Sequence, residues 1–271
     1  MTTESKPDAA ADTTATVSRG RFVWYDLMTT DVPAATAFYT AIAGWGTQDF
    51  EMGNGKYQMW TVGDAPIGGV MDLQQQQGAP PMPPHWMAHV AVPDVDDTVK
   101  QAESLGASVH VPPTDIPTVG RFAVIADPQG AAIAVFTPSQ AQASTPFAPK
   151  IGEFSWHELM TTDHKAAFDF YSKLFGWEKQ QTMDMGAMGE YLMFGQGAMY
   201  GGMMTLTPDM KMPPNWSYYI HVESADASVE KVKSLGGQVL NGPMEVPGGD
   251  RIAQCMDPQG GMFAVHSTKQ S

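Results

Sequence analysis

At 271 residues, with hydrophobic residues at 43% and aromatics at 10%, the chain is long enough for one large core or two of modest size. Lys and Arg number 15 against 29 Asp and Glu, a formal charge of -14, so a phosphate backbone would have to bind against the protein's own field and nucleic acid is not the expected partner. No apolar run approaches the roughly 18 residues a membrane helix needs, and Cys255 is the only cysteine, which excludes an intramolecular disulfide and fits a reducing, cytoplasmic location.

Residues 1–19 are rich in Ala, Thr and acidic residues, lack the hydrophobic core of a signal peptide, and read as a disordered tail. Phe22 to Thr29 alternate like a half-buried strand. Asp31 is placed to cap a helix along which Ala34, Phe38 and Ile42 fall at helical spacing, and Gly44 stops it. Three short strands follow, through Leu73, with a polar loop at Gln74 to Gln77. The pattern then starts afresh. A strand from Trp86 to Val92 leads to a helix from about Val95 to Leu105, closed by Gly106, and to strands near Ser108 to Val111, Arg121 to Ala126 and Ala132 to Thr137.

The whole sequence of elements then recurs. Gly20 to Trp45 (GRFVWYDLMTTDVPAATAFYTAIAGW) and Gly152 to Trp177 (GEFSWHELMTTDHKAAFDFYSKLFGW) share 14 of 26 residues, MPPHW at Met82 returns as MPPNW at Met212, and DPQG at Asp127 returns at Asp257. Residues 141–150 (AQASTPFAPK) have the small, polar, Pro-containing composition of a linker between domains at 20–140 and 151–268. Gly68-Gly69 and Gly201-Gly202 sit inside apparent strands, where glycine marks a bend or a close backbone approach. The fold class expected is α+β, with four βαβββ units, two per half.

The string LMTTD followed by AFYTAIAGW, the VAVPDVDDTVKQAESLGA of the second unit and the final DPQGAAIAVF resemble the vicinal oxygen chelate superfamily, the glyoxalase, bleomycin-resistance and dioxygenase group. The resemblance runs from Gly20 to Thr268 and implies U-shaped half-barrel sheets, a ligand inside each cup, and an intramolecular pseudo-dimer of two domains. It also implies a metal site, whose ligand positions fall on Trp24, Met87 and Ala134 in the first half and on Trp156, Ser217 and Ala264 in the second. None of these is a credible ligand for a divalent ion, so no metal is expected at the inherited position and no cofactor is expected at all.

Strand alternation places Trp24, Asp26 and Met28 on one cup face and Trp156, Glu158 and Met160 on its counterpart. If the cups form across the two halves, the first would be completed by Ser217, Tyr219, His221, Ala264 and His266, and the second by Met87, His89, Ala134 and Phe136. In that arrangement Asp26, His221 and His266 could form a displaced two-histidine, one-carboxylate metal set. Asp26 and Glu158, on otherwise apolar strands, are the candidate acid–base residues, because burial raises a carboxyl pKa. Trp24 and Trp156 offer an aromatic floor for a planar ligand. His157, beside Glu158 but on the opposite face, reads as a core or rim histidine. The 20 methionines suit either an adaptable pocket or an irregular core. Neither a phosphate-cradling glycine loop nor a GxSxG nucleophile string is present. The expected function is to bind a small, partly apolar or aromatic organic molecule without the superfamily metal, either sequestering it or transferring a proton. A metal-dependent lyase or dioxygenase using the displaced set, and a pure drug-binding resistance protein, stand as alternatives.

Overall fold

The computed structural model describes residues 19–52, 55–75, 82–140 and 146–269. The tail expected over residues 1–19 lies outside these except for Arg19, the expected linker except for its last five residues, and the Gln74 to Gln77 loop in its second half.

In the first half, β1 (Phe22–Thr29), α1 (Val32–Ala43), β2 (Gly46–Met52), β3 (Gly55–Val62) and β4 (Ala65–Asp72) make one βαβββ unit; β5 (His85–Ala91), α2 (Val95–Ser104), β6 (Ser108–Ile116), β7 (Gly120–Ala126) and β8 (Ala132–Pro138) make the next. The second half repeats this with β9 (Phe154–Thr161), α3 (His164–Phe175), β10 (Glu178–Asp184), β11 (Glu190–Gly195), β12 (Met199–Thr205), β13 (Asn215–His221), α4 (Ala225–Ser234), β14 (Gln238–Glu245), β15 (Arg251–Met256) and β16 (Met262–Ser267). Each half forms its own eight-stranded sheet, in the orders β2-β3-β4-β1-β5-β8-β7-β6 and β10-β11-β12-β9-β13-β16-β15-β14. At the centre of each, the first strands of the two units run antiparallel, β1 against β5 and β9 against β13. β6 is longer than the sequence pattern suggests. It carries Pro112 and Pro113, which cannot donate to a ladder, and it survives as a strand because it lies at the sheet edge and shifts register twice against β7.

The repeated motifs build the ends of the helices and the seam between the halves. Asp31 accepts from the N–H of Ala34 at 3.0 Å and Asp163 from that of Ala166 at 3.1 Å, capping α1 and α3. Gly44 and Gly176 end these helices at φ values of 70° and 74°, which glycine adopts without a Cβ penalty. Across the seam the bonds are reciprocal. The hydroxyl of Tyr39 donates to Asp257 and that of Tyr171 to Asp127, each at 3.0 Å. The indole of Trp45 donates to the Gly152 carbonyl at 2.6 Å and that of Trp177 to Gly20 at 2.7 Å. Such pairs are what two copies related by a twofold produce. Burial pushes the carboxyls of Asp127 and Asp257 above the usual range, against the pull of the backbone N–H groups in their own turns.

One position on this seam has diverged. Tyr25 and its counterpart His157 meet there, with the Tyr25 hydroxyl 2.6 Å from His157 Nε2 and the Tyr200 carbonyl 2.6 Å from Nδ1. A carbonyl only accepts, so Nδ1 carries the proton and Nε2 accepts from Tyr25. Phe22 stacks on the imidazole at 3.6 Å. His157 is thus the core histidine expected, fully buried, and burial lowers its pKa to about 3.

Candidate functional site

Because each sheet is built from the strands of one half, the strand wall of each cup is too. Asp26 shares its cup with Met87, its cross-strand partner, and with His89, the partner of Trp24. His221 and His266 sit side by side in the other sheet. The expected pairing of Asp26 with those two histidines is therefore corrected: the strands of one half hydrogen-bond only to one another within their sheet. For the same reason Met87, His89, Ala134 and Phe136 complete the cup of Trp24, Asp26 and Met28, while Ser217, Tyr219, His221, Ala264 and His266 complete that of Trp156, Glu158 and Met160.

The N-terminal cup opens into a cavity of about 1580 Å³ whose lining includes Trp24, Asp26, Met28, Met87, His89 and Phe136. Segments of the second half, Pro213–Trp216 among them, line part of the same space. At its floor the Asp26 carboxylate is fully engaged. Oδ1 accepts from the Tyr57 hydroxyl and, at 3.1 Å, from the Trp24 indole, which also lies 2.8 Å from the Tyr57 oxygen. Oδ2 faces His89 Nε2 at 2.9 Å. Asp26 and His89 are both buried, at 5% and 7% exposure, which makes their mutual contact strong and removes water as a competitor. Next to the carboxylate, burial pushes the Tyr57 hydroxyl far above the usual tyrosine range, so it remains a donor.

The C-terminal cup repeats this plan with one substitution. Trp156 donates to the Tyr191 oxygen at 2.8 Å, and Tyr191 donates to Glu158 Oε1 at 2.9 Å. Where the first cup has His89, the second has Tyr219, which donates to Oε2 at 2.7 Å, and Gln254 adds a longer bond at 3.2 Å. Burial raises the Glu158 pKa, opposed by these three donors. Glu158 is thus surrounded by groups that give hydrogen bonds and has no base beside it, whereas Asp26 has an imidazole. Ser217 lies across from Glu158 and Met160 is buried in the same face.

Tyr57, Tyr191 and Gln254 were not among the residues singled out from the sequence. A signal for the tyrosines exists: Tyr57-Gln-Met-Trp and Tyr191-Leu-Met-Phe are the same Tyr-x-Met-aromatic string in the two halves. The glycine pairs explain how they fit. A Cβ on Gly69 would lie 1.9 Å from the Tyr57 oxygen, and one on Gly202 would lie 2.2 Å from the Tyr191 ring. Gly69→Ala is accordingly expected to swing Tyr57 away from Asp26 and to move the Trp24 indole N–H resonance in a nitrogen–proton correlation spectrum, leaving that of Trp156, its counterpart in the other half, in place. An unmoved Trp24 signal would show that the close approach does not hold the tyrosine.

With this geometry in view, the comparisons with known proteins identify the lineage. The glyoxalase/bleomycin resistance protein/dioxygenase superfamily model matches twice, at residues 21–135 and 151–265. The chain belongs to this superfamily. It is 35% identical over 246 residues, 89% of this chain and 92% of the other, to the Mycobacterium bovis protein named "Putative glyoxylase CFP32". It is 32% identical over 261 residues, 91% of this chain and 92% of the other, to the anthracycline biosynthesis protein DnrV of Streptomyces peucetius. Among solved structures, the Mn(II)-bound glyoxalase of Novosphingobium aromaticivorans is similar in fold, with a TM-score of 0.62 at 15% identity, covering 94% of this chain and 84% of that one.

That glyoxalase holds Mn(II), but the residues here do not suit a metal. Among the described residues no three His, Cys, Asp or Glu side chains converge, and both oxygens of Asp26 are occupied by Trp24, Tyr57 and His89. A divalent ion needs at least three such donors free to turn toward it.

Proposed function

We propose that the N-terminal cup binds a planar, largely apolar organic molecule and transfers a proton within it through the Asp26–His89 pair. The observation that carries this reading is a buried carboxylate–imidazole contact of 2.9 Å at the floor of an apolar cavity. His89 Nε2 is committed to Asp26, so Nδ1 is the nitrogen assigned to take the substrate proton. Asp26 fixes the ring's tautomer and stabilises the imidazolium that forms, while Tyr57 and Trp24 hold Asp26 in place. The reaction class is isomerisation or elimination beginning with removal of a proton next to a carbonyl. A volume of about 1580 Å³ exceeds the roughly 300–1,000 Å³ of ordinary small-molecule pockets, which favours a polycyclic ligand. Likeness to an anthracycline biosynthesis protein supports the same ligand class. The protein's location is read as cytoplasmic from its lone, buried cysteine.

A screen of polycyclic phenols, quinones and diketones by thermal shift identifies binders, and proton–deuterium exchange at the ligand's acidic carbon, followed by NMR in D2O, reads the chemistry. Asp26→Asn is expected to slow exchange by up to about 10⁴-fold, as loss of the carboxylate that fixes the base's tautomer does, and Glu158→Gln to leave it within a small factor. Full turnover in Asp26→Asn would remove this residue from the mechanism. A second reading, sequestration, is favoured by the methionines Met28, Met59, Met71 and Met87 in the cavity wall, whose thioethers adapt to varied shapes. Stoichiometric binding with no exchange in the wild-type protein would select it.

A further inference from the structure

The C-terminal cup contains a second chemical device that the N-terminal cup lacks. Ser155 Oγ lies 2.9 Å from His266 Nδ1, and His266 Nε2 lies 3.1 Å from Asp250 Oδ2. The other Asp250 oxygen accepts from the Lys269 N–H at 2.9 Å. Burial pushes the Asp250 carboxyl up, but this N–H and His266 outweigh it and hold the group below its usual range. A carboxylate only accepts, so His266 Nε2 carries the proton and Nδ1 presents its lone pair to the Ser155 hydroxyl. The hydroxyl's other acceptor, the Tyr219 carbonyl, is 3.4 Å away, beyond the ordinary range for an O–H donor. His221 stacks beside His266, with ring centroids 5.3 Å apart.

The fold does not require this chain. The counterparts of Ser155, His221 and His266 in the first half are Val23, Ala91 and Phe136, all of which line the N-terminal cavity, so the polar chain occupies the corresponding part of the other cup. The counterpart of Asp250 is Gly120, where an added Cβ would come within 2.7 Å of the Phe136 ring. A phenyl over a glycine in one half has become an imidazole bonded to a carboxylate in the other. Shape alone is satisfied by the apolar pair; the polar one adds the order hydroxyl, imidazole, carboxylate. His266 keeps 17% of its side chain exposed, while Ser155 is buried, at 7%.

We propose that Ser155 is a nucleophile activated by His266 and Asp250, and that the C-terminal cup is an acyl-transfer site for a small ester, separate from the chemistry at Asp26. Ser155 Oγ bonds to the ester carbonyl carbon while its proton passes to His266 Nδ1. The carbon–oxygen bond to the leaving alcohol breaks, and the alcohol departs with that proton, leaving an acyl group on Ser155. Water, deprotonated by the same imidazole, then releases the carboxylic acid and restores the hydroxyl.

The test uses the full chain with an aryl fluorophosphonate, read by intact and peptide mass, and with p-nitrophenyl acetate, read as p-nitrophenol release. A single adduct on the Ser155 peptide and a stoichiometric burst are expected. Ser155→Ala should lose both, and Asp250→Asn should slow labelling at least about tenfold, as removal of an orienting carboxylate does. The double variant His266→Phe with Asp250→Gly rebuilds the pair found in the first half, so it is expected to fold and to lose labelling. Absence of an adduct on folded wild-type protein, an adduct elsewhere, or labelling that persists in Ser155→Ala overturns the proposal.

Discussion

Lowering the pH from 6.5 toward 3.5 is expected to weaken folding by about 1.4 kcal/mol per pH unit through His157 alone. Its pKa is about 3 in the folded protein because burial between Phe22, Tyr25 and Tyr200 disfavours the charged ring. In the unfolded chain the ring titrates near the ordinary value of about 6.5. The unfolded state therefore binds a proton that the native state does not. The stabilisation is fully present above about pH 6.5, is lost as the pH falls, and levels off near pH 3, for a total of about 4–5 kcal/mol.

Asp127, Asp257 and Glu158 act with the opposite sign. Their pKa values are raised by burial, so their contribution is present below the ordinary carboxylate range and is lost as the pH rises through the folded value. Comparison with His157→Phe separates these contributions. The variant is expected to be less stable at pH 7 by about 1–3 kcal/mol, because the Tyr200 carbonyl loses its donor and the Tyr25 hydroxyl its acceptor. Its stability should then change far less between pH 6.5 and 4. Urea unfolding across that range decides the matter, and parallel curves for the two proteins would show that His157 does not carry the acid sensitivity.

Gly201→Ala is expected to destabilise the protein by about 3 kcal/mol or more, at the upper end of overpacking effects. Gly201 pairs with His157 across the parallel β12–β9 ladder, and a Cβ there would lie 1.8 Å from the His157 carbonyl oxygen and 2.7 Å from its carbon. Both are backbone atoms of a central strand, so no rotamer change relieves the clash and the strands must part. The nearest atoms to a Cβ at the neighbouring Gly202 belong to the Tyr191 side chain, which can turn. The cost of Gly202→Ala should be smaller and confined to the Glu158 network. Thermal and urea unfolding of the two variants side by side measure this contrast. Equal losses would place the constraint in strand propensity rather than in the ladder.

Much of the architecture was legible because it is local. Strand alternation put Trp24, Asp26 and Met28 on one face, and all three line the cavity. Asp31 and Gly44 announced the limits of α1 through capping chemistry that acts within a few residues. The paired glycines signalled close approach, although their beneficiaries, Tyr57 and Tyr191, stand on a neighbouring strand and went unnoticed.

The repeat itself and the residue types available to each half are properties of the sequence alone. Which residues face one another belongs to the tertiary structure. Alternation specifies the face a side chain takes, but two cups built within halves and two built across them satisfy it equally. The choice rests on long-range contacts, β1 against β5 and Tyr39 reaching Asp257, which together place Asp26 on His89 and leave His266 to Ser155 and Asp250. Those pairings join residues 63, 111 and 16 positions apart, and only packing of the whole chain brings them within hydrogen-bonding distance.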